Sequence, residues 1–227
     1  MSDIWNTLGA VQDMLTSEFE KTGQEIQEPG MERFNQPGWV NRVWTSDRYR
    51  RAHIDVVDAK ETRGLWMMHC CVFPHTHNNA PIFGLDVIAG ARKITGFFHD
   101  YSPVLDKNHP MCDSFCQQSS ELEWNKKREL PDWARAIFSD HMISAGNVQK
   151  DHELQQIIDF SEQSIYGYLC DVGDYNHSAN EQDIITAHNR YSYYQKQNPH
   201  TPRTMRALGL SDDDVTAFIG QCLFPEL

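Results

Sequence analysis

Apolar residues recur at Ile4, Leu8, Val11, Leu15 and Phe19, a three- and four-residue rhythm that predicts an amphipathic helix with Ser2 or Asp3 as its cap. From Trp39 to about Tyr101 the rhythm shortens to two. The runs Trp39–Trp44, Ala52–Val57, Leu65–Phe73, Ile82–Ile88 and Lys93–Phe98 are β-branched and aromatic, and breaks such as Glu61–Gly64 and Ala89-Gly90 separate them. That texture predicts consecutive antiparallel strands. After Pro103 helical spacing returns: around Pro131 to Phe138, from about Asp151 to Leu169, and from Glu181 to about Gln197. A last helix, capped by Ser211-Asp-Asp-Asp, carries Val215, Phe218, Ile219, Cys222 and Leu223. Helices on both sides of an antiparallel sheet predict a layered α+β fold. No repeat, low-complexity tract or linker interrupts the chain, so residues 1–227 read as a single domain.

Composition narrows the class. The 227 residues are 40% hydrophobic and 11% aromatic, enough for a packed core and too apolar for a disordered chain. No run approaches the ~20 apolar residues of a membrane span. The chain opens directly into the amphipathic pattern rather than a basic leader, so it reads as soluble and unprocessed. Six scattered cysteines form no disulfide framework, which points to the cytoplasm; adjacent Cys70 and Cys71 face opposite ways on a strand. Cys112 and Cys116 have the spacing of half a zinc site but no second pair nearby. A net charge of −12 argues against nucleic acid. Against that deficit, Arg48–Arg51, Lys126–Arg128 and Arg203–Arg206 are three basic clusters that could steer an acidic partner.

The candidate chemistry lies where polar groups interrupt apolar strands. His53 and Asp55 share one strand face, His69 stands in the run Met67–Val72, and Asp86 is the only charged residue between Pro81 and Ala91. A lone buried carboxylate costs several kcal/mol unless it is paired, hydrogen-bonded or protonated. If these strands are neighbours, several titratable groups converge on one sheet face, and burial raises a carboxylate toward the range where it donates protons near neutrality. Taken singly, His69 also reads as a satisfied core histidine and Asp86 as a turn residue. His53-x-Asp55 with a distant histidine is in addition a ligand pattern of non-haem iron oxygenases, short and common, with His75 and His77 as further candidates. No glycine-rich nucleotide loop, serine elbow or cysteine cluster is present, so any redox chemistry draws its electrons from elsewhere.

The segments Arg51–Asp55, Met68–Pro74, Pro81–Gly90 and Tyr101–Pro103 carry a resemblance. With Arg128–Trp133, Ile137–Ser139, Gln195–Asn198, Thr201 and Gln221–Phe224 in order behind them, the chain resembles the ferredoxin-dependent bilin reductases, in particular the phycocyanobilin-forming branch. The resemblance implies a three-layer α/β/α sandwich that holds biliverdin IXα in a cyclic shape. It implies a monomer that binds no metal or flavin and takes single electrons from a reduced 2Fe–2S ferredoxin. Asp86 matches the family's catalytic aspartate and His69 the histidine at the terminal lactams. His53 matches a histidine beside the site, Thr95 a propionate-holding hydroxyl, and Gln195, Asn198 and Thr201 the helix end that flanks the pigment. His200 takes the position of a propionate-binding lysine.

Two departures bear on the product. Asp55 replaces the family's glutamate at the outer vinyl group, shorter by one methylene or roughly 1.5 Å, which puts proton delivery there in doubt. The family's propionate-clamping arginine has no counterpart after Phe138-Ser139, where the chain reads Ser139–Gly146. If Asp55 cannot serve the vinyl group, protons come from Asp86 and His69, and the expected product is phycoerythrobilin through 15,16-dihydrobiliverdin, as in phage-type members. Phycocyanobilin, or simple carriage of the pigment without turnover, are the alternatives.

Overall fold

The two-residue rhythm becomes a meander. In the computed structural model, which describes residues 4–227, seven strands pair antiparallel in chain order. They are β1 (Gln24–Ile26), β2 (Trp39–Thr45), β3 (Tyr49–Ala59), β4 (Leu65–Pro74), β5 (Ile82–Gly90), β6 (Lys93–Ser102) and β7 (Ile143–Ala145). The break at Glu61–Gly64 is one helical turn, α2 (Lys60–Arg63), closed by Gly64 in the left-handed region at φ 59°, where glycine has no Cβ to clash.

Alternation divides the sheet into two apolar faces. One face carries Ala52, Ile54, Val56, Cys70, Val72, Phe83, Leu85 and Phe97 and packs on α1 (Ile4–Thr22), α3 (Pro110–Ser119) and α5 (Asp151–Asp171). Leu8, Val11, Leu15 and Phe19, the rhythm of the first segment, are fully buried there; each such side chain contributes about 1.5–3 kcal/mol. The other face carries Trp39, Val43, Val57, Cys71 and Phe73 and packs on α4 (Asp132–Arg135), α6 (Glu181–Gln195), α7 (His200–Ala207) and α8 (Asp212–Ala217). A π-helical turn, Phe218–Leu223, prolongs α8. The architecture is thus the expected α+β three-layer sandwich, and Cys70 and Cys71 do take opposite faces.

Caps explain the later helices. Asn180 accepts from the backbone N–H of Gln182 and Asp183 at the head of α6, and Ser211 accepts from Asp214 at the head of α8. The suggested Ser2 or Asp3 cap of α1 lies outside the described residues. The helix read around Pro131 to Phe138 shrinks to the single turn α4, because Pro131 sets its start and the chain must turn away to reach β7. Four elements have no counterpart in the sequence pattern, namely β1, β7, α3 and α7. The two strands are three residues long, too short to show a period, and α3 opens on a His109 side-chain cap before Pro110 rather than on a usual capping residue. Among the described residues no helix is long and apolar enough to cross a membrane.

Candidate active site

Antiparallel register lines up polar groups that the sequence scatters. Asn41, Asp55, His69, Asp86, Phe98 and Ser144 form one row from β2 to β7, each paired with the next. Paired residues stand ~4.5–5.5 Å apart at Cβ, within reach of side-chain bonds. His69 Nδ1 meets Asp86 Oδ1 at 2.6 Å. Trp39 Nε1–H donates to Asp55 Oδ1 at 2.6 Å, and His53 Nε2 donates to the Asn41 amide oxygen at 3.2 Å.

Asp86 is the member of the row that opens onto a cavity of about 900 Å³ between the sheet and the helices α4, α6 and α7. Strand residues Leu65, Met67, Ile88 and Phe98 make one wall, while Leu130, Trp133, Phe138 and Met142 make the opposite one. Thr95, Gln195, Asn198 and His200 supply polar groups to the lining. An apolar cleft with few polar groups is the usual character of a small-molecule site. The Asp86 side chain is 39% exposed and the His69 side chain 12%, so a ligand in the cavity touches the carboxylate and reaches the imidazole through it.

Electrostatics follow from that layering. Burial opposes a charge on His69, but the Asp86 carboxylate beside it outweighs burial and pushes the imidazole up to about 10. His69 is therefore an imidazolium at neutral pH, with a buried Nε2 that finds no partner. Burial pushes Asp55 up to about 7, with the Trp39 N–H pulling the other way. Burial holds His53 well below the histidine range, so it stays neutral. Asp100, one pleat from Phe98, is pushed up to about 6 by burial; it accepts from the Ser139 backbone N–H and from the hydroxyls of Ser139 and Ser102. Those bonds fix the segment from Phe138 to Met142 that forms a cavity wall.

Of the residues expected at the site, Asp86, Thr95, Gln195, Asn198 and His200 line the cavity, and His69 is bonded to Asp86. Thr95 Oγ1 donates to the Ile88 carbonyl, the Gln195 amide N–H donates to the Tyr191 hydroxyl, and Asn198 Oδ1 accepts from the His200 backbone. Asp55 and His53 are buried behind the row's open end, and Thr201 stands in the first turn of α7, outside the lining to which Thr204 belongs.

Arg128 is the functional side chain that sequence reading missed, having grouped it with surface charge. Its backbone N–H donates to Ser144 on β7, and its guanidinium lies 5.2 Å from the centre of the Phe98 ring. Two glycines make the groove: a Cβ on Gly96 would stand 3.1 Å from Arg128 Nη1, and one on Gly146 3.0 Å from its Cδ. Among the described residues no carboxylate pairs with it. Two glycines separated by a strand, facing an arginine before Leu-Pro, were the available signal.

Two readings are corrected. Arg48–Arg51 is no free patch: Arg48 donates to the carbonyls of Leu169 and Cys170, Arg50 stacks on Phe73, and Arg51 is buried against Glu28 and the Cys222 carbonyl. Buried guanidinium groups must be paired, and here they staple the sheet to its helices. The iron-ligand pattern also dissolves, since His53 and Asp55 are bonded to Asn41 and Trp39, and among the described residues no group of three or more His, Cys, Asp or Glu could hold a metal.

Comparison with known proteins agrees with this geometry. A family model described as ferredoxin-dependent bilin reductase matches residues 10–225. A phycocyanobilin:ferredoxin oxidoreductase of Synechococcus sp. (strain CC9605) is 28% identical over 200 residues, covering 82% of this chain and 77% of that protein. One from Prochlorococcus marinus is 28% identical over 187 residues, covering 81% of this chain and 74% of that one. The solved structure of PcyX is 35% identical with a TM-score of 0.74, covering 97% of this chain and 99% of the other. Tomato phytochromobilin synthase, solved in complex with biliverdin, shares the fold at a TM-score of 0.72 and 15% identity, over 94% of this chain and 81% of that one.

Proposed function

Because the chain belongs to the ferredoxin-dependent bilin reductase family, we propose that it reduces biliverdin IXα to phycoerythrobilin through 15,16-dihydrobiliverdin, with electrons from reduced ferredoxin and Asp86 as the proton donor in contact with the pigment. The observation that carries this reading is the Asp86–His69 pair at the edge of an apolar cavity. Each double bond reduced takes two electrons and two protons. The electrons arrive from ferredoxin one at a time; the protons have to come from groups that touch the pigment or can reload those that do. Asp86 touches it, and His69, held as an imidazolium, can return a proton to Asp86 after each transfer.

Thr95, Gln195, Asn198 and His200 bind the pigment's polar edge, and Arg128 supplies the fixed cation for a propionate. Arg128 thereby takes over the role of the arginine that the chain lacks after Phe138-Ser139. His53 and Thr201 act from behind these contacts. The phycoerythrobilin product follows from Asp55, whose carboxylate is buried and tied to Trp39 rather than open to the cavity. The enzyme works as a single-domain cytoplasmic monomer. Lys126, Lys127 and Arg135 beside the cavity, with Arg203 on α7, form the approach for an acidic electron donor on an otherwise acidic protein.

The test is anaerobic incubation of the purified chain with biliverdin IXα, a ferredoxin and its reducing system, followed by chromatography of the pigment. Phycoerythrobilin, with 15,16-dihydrobiliverdin appearing first, is the expected result. Phycocyanobilin would overturn the product assignment, and bound but unchanged biliverdin would make the chain a carrier.

A further inference from the structure

Trp39 does not border the cavity, yet its indole N–H makes the shortest bond at this end of the polar row, to Asp55 Oδ1 at 2.6 Å. Both side chains are buried. The indole itself is clamped edge-on against Phe218 at 5.0 Å, and Phe34 meets the same ring at 4.9 Å. The donor is therefore fixed by packing from the π-helical turn and the segment before β2, independently of Asp55. An indole nitrogen only donates, so it favours the carboxylate over the carboxylic acid.

We propose that Trp39 is a positioning residue that keeps Asp55 ionised and turned out of the cavity, so that Asp55 accepts protons but does not deliver them to the pigment. This rests on the bilin-reductase reading and extends it to a determinant of product. The groups that act on Asp55 are His69 and Asp86 beyond it in the row, with His53 on its own strand and Cys222 and Arg51 under the C-terminal segment. His69 as a cation supports the carboxylate, Asp86 and burial oppose it, and the balance leaves Asp55 titrating near neutrality. Removing one donor therefore moves its protonation within the working pH range. A protonated Asp55, released from Trp39, could turn toward the pigment and serve as a second acid.

Trp39→Phe removes the N–H and keeps a ring against Phe218. The direct readout needs no turnover: the carboxylic-acid C=O infrared band of the pigment-free protein, assigned to Asp55 by its loss in Asp55→Asn, followed against pH. The expected result is a midpoint raised by at least one pH unit in Trp39→Phe. An unmoved midpoint would overturn the proposal. In the wild type's own reaction, the variant should give a several-fold higher share of phycocyanobilin; an unchanged product ratio alongside a shifted midpoint would refute the link to product. If the wild type turns over no biliverdin, the functional reading fails while the infrared test of the Trp39–Asp55 bond still stands. Should Trp39→Phe not fold, a benzothiophene analogue of tryptophan at position 39 keeps the shape without the N–H and is held to the same midpoint.

Discussion

Asp86 stands between a ligand and a proton store, and its two contacts can be separated. Asp86→Asn keeps the shape but cannot donate a carboxylic proton, so the variant should bind biliverdin and lose roughly 10²–10⁴-fold in turnover, read as single-turnover pigment decay after addition of reduced ferredoxin. The pair also leaves a mark on stability. His69 titrates near 6.5 unfolded and near 10 folded, so the folded state holds a proton that the unfolded state releases between those values. The stabilisation is complete below about 6.5 and drains away as pH rises toward 10. Urea unfolding from pH 6 to 10 should show that decline in the wild type and a flatter profile in Asp86→Asn; parallel profiles would mean His69 takes its charge from elsewhere. At this scale the sequence revealed the titrating pair but not its wiring. A charged residue inside a greasy strand is conspicuous in any sequence, whereas the Trp39–Asp55 bond joins residues sixteen positions apart that only register brings together.

Elements place what residues do. Arg128 reaches the cavity because β7 pairs with the segment before α4 and because Gly96 and Gly146 leave room for its stem. Arg128→Gln should weaken biliverdin binding about 10- to 100-fold, the worth of one charge-assisted bond of ~1.5–3 kcal/mol, with little change in the rate of bound pigment; visible titration separates the two. Asp100→Ala removes the anchor of Ser139 and should cost about 1–3 kcal/mol of stability in denaturant melts, while loosening the wall that carries Phe138 and Met142. The five central strands and the long helices were legible because each repeats its period several times. The three-residue strands β1 and β7 were not, and with β7 hidden the reach of Arg128 into the site was hidden too.

Charge is a property of the whole molecule. A net −12 repels an acidic donor everywhere except beside the cavity, so the reaction with ferredoxin should slow with added salt. Replacing Lys126 and Lys127 by Glu should lower the second-order electron-transfer rate about tenfold or more while biliverdin binding holds; stopped-flow at two ionic strengths reads both. The net charge and the clusters could be counted from the sequence, but only the structure separates those beside the cavity from the Arg48–Arg51 staples. The meander has a consequence in time. Each strand pairs with the one made just before it, so the sheet can assemble while synthesis is under way, with short loops to close and little waiting for distant partners. The opposite wall of the site comes from α6 and α7, and Phe224 settles against His69 only when the last residues arrive. A nascent chain therefore displays its acid–base row to solvent long before it has a pocket, and competence to hold pigment is the final event of its maturation.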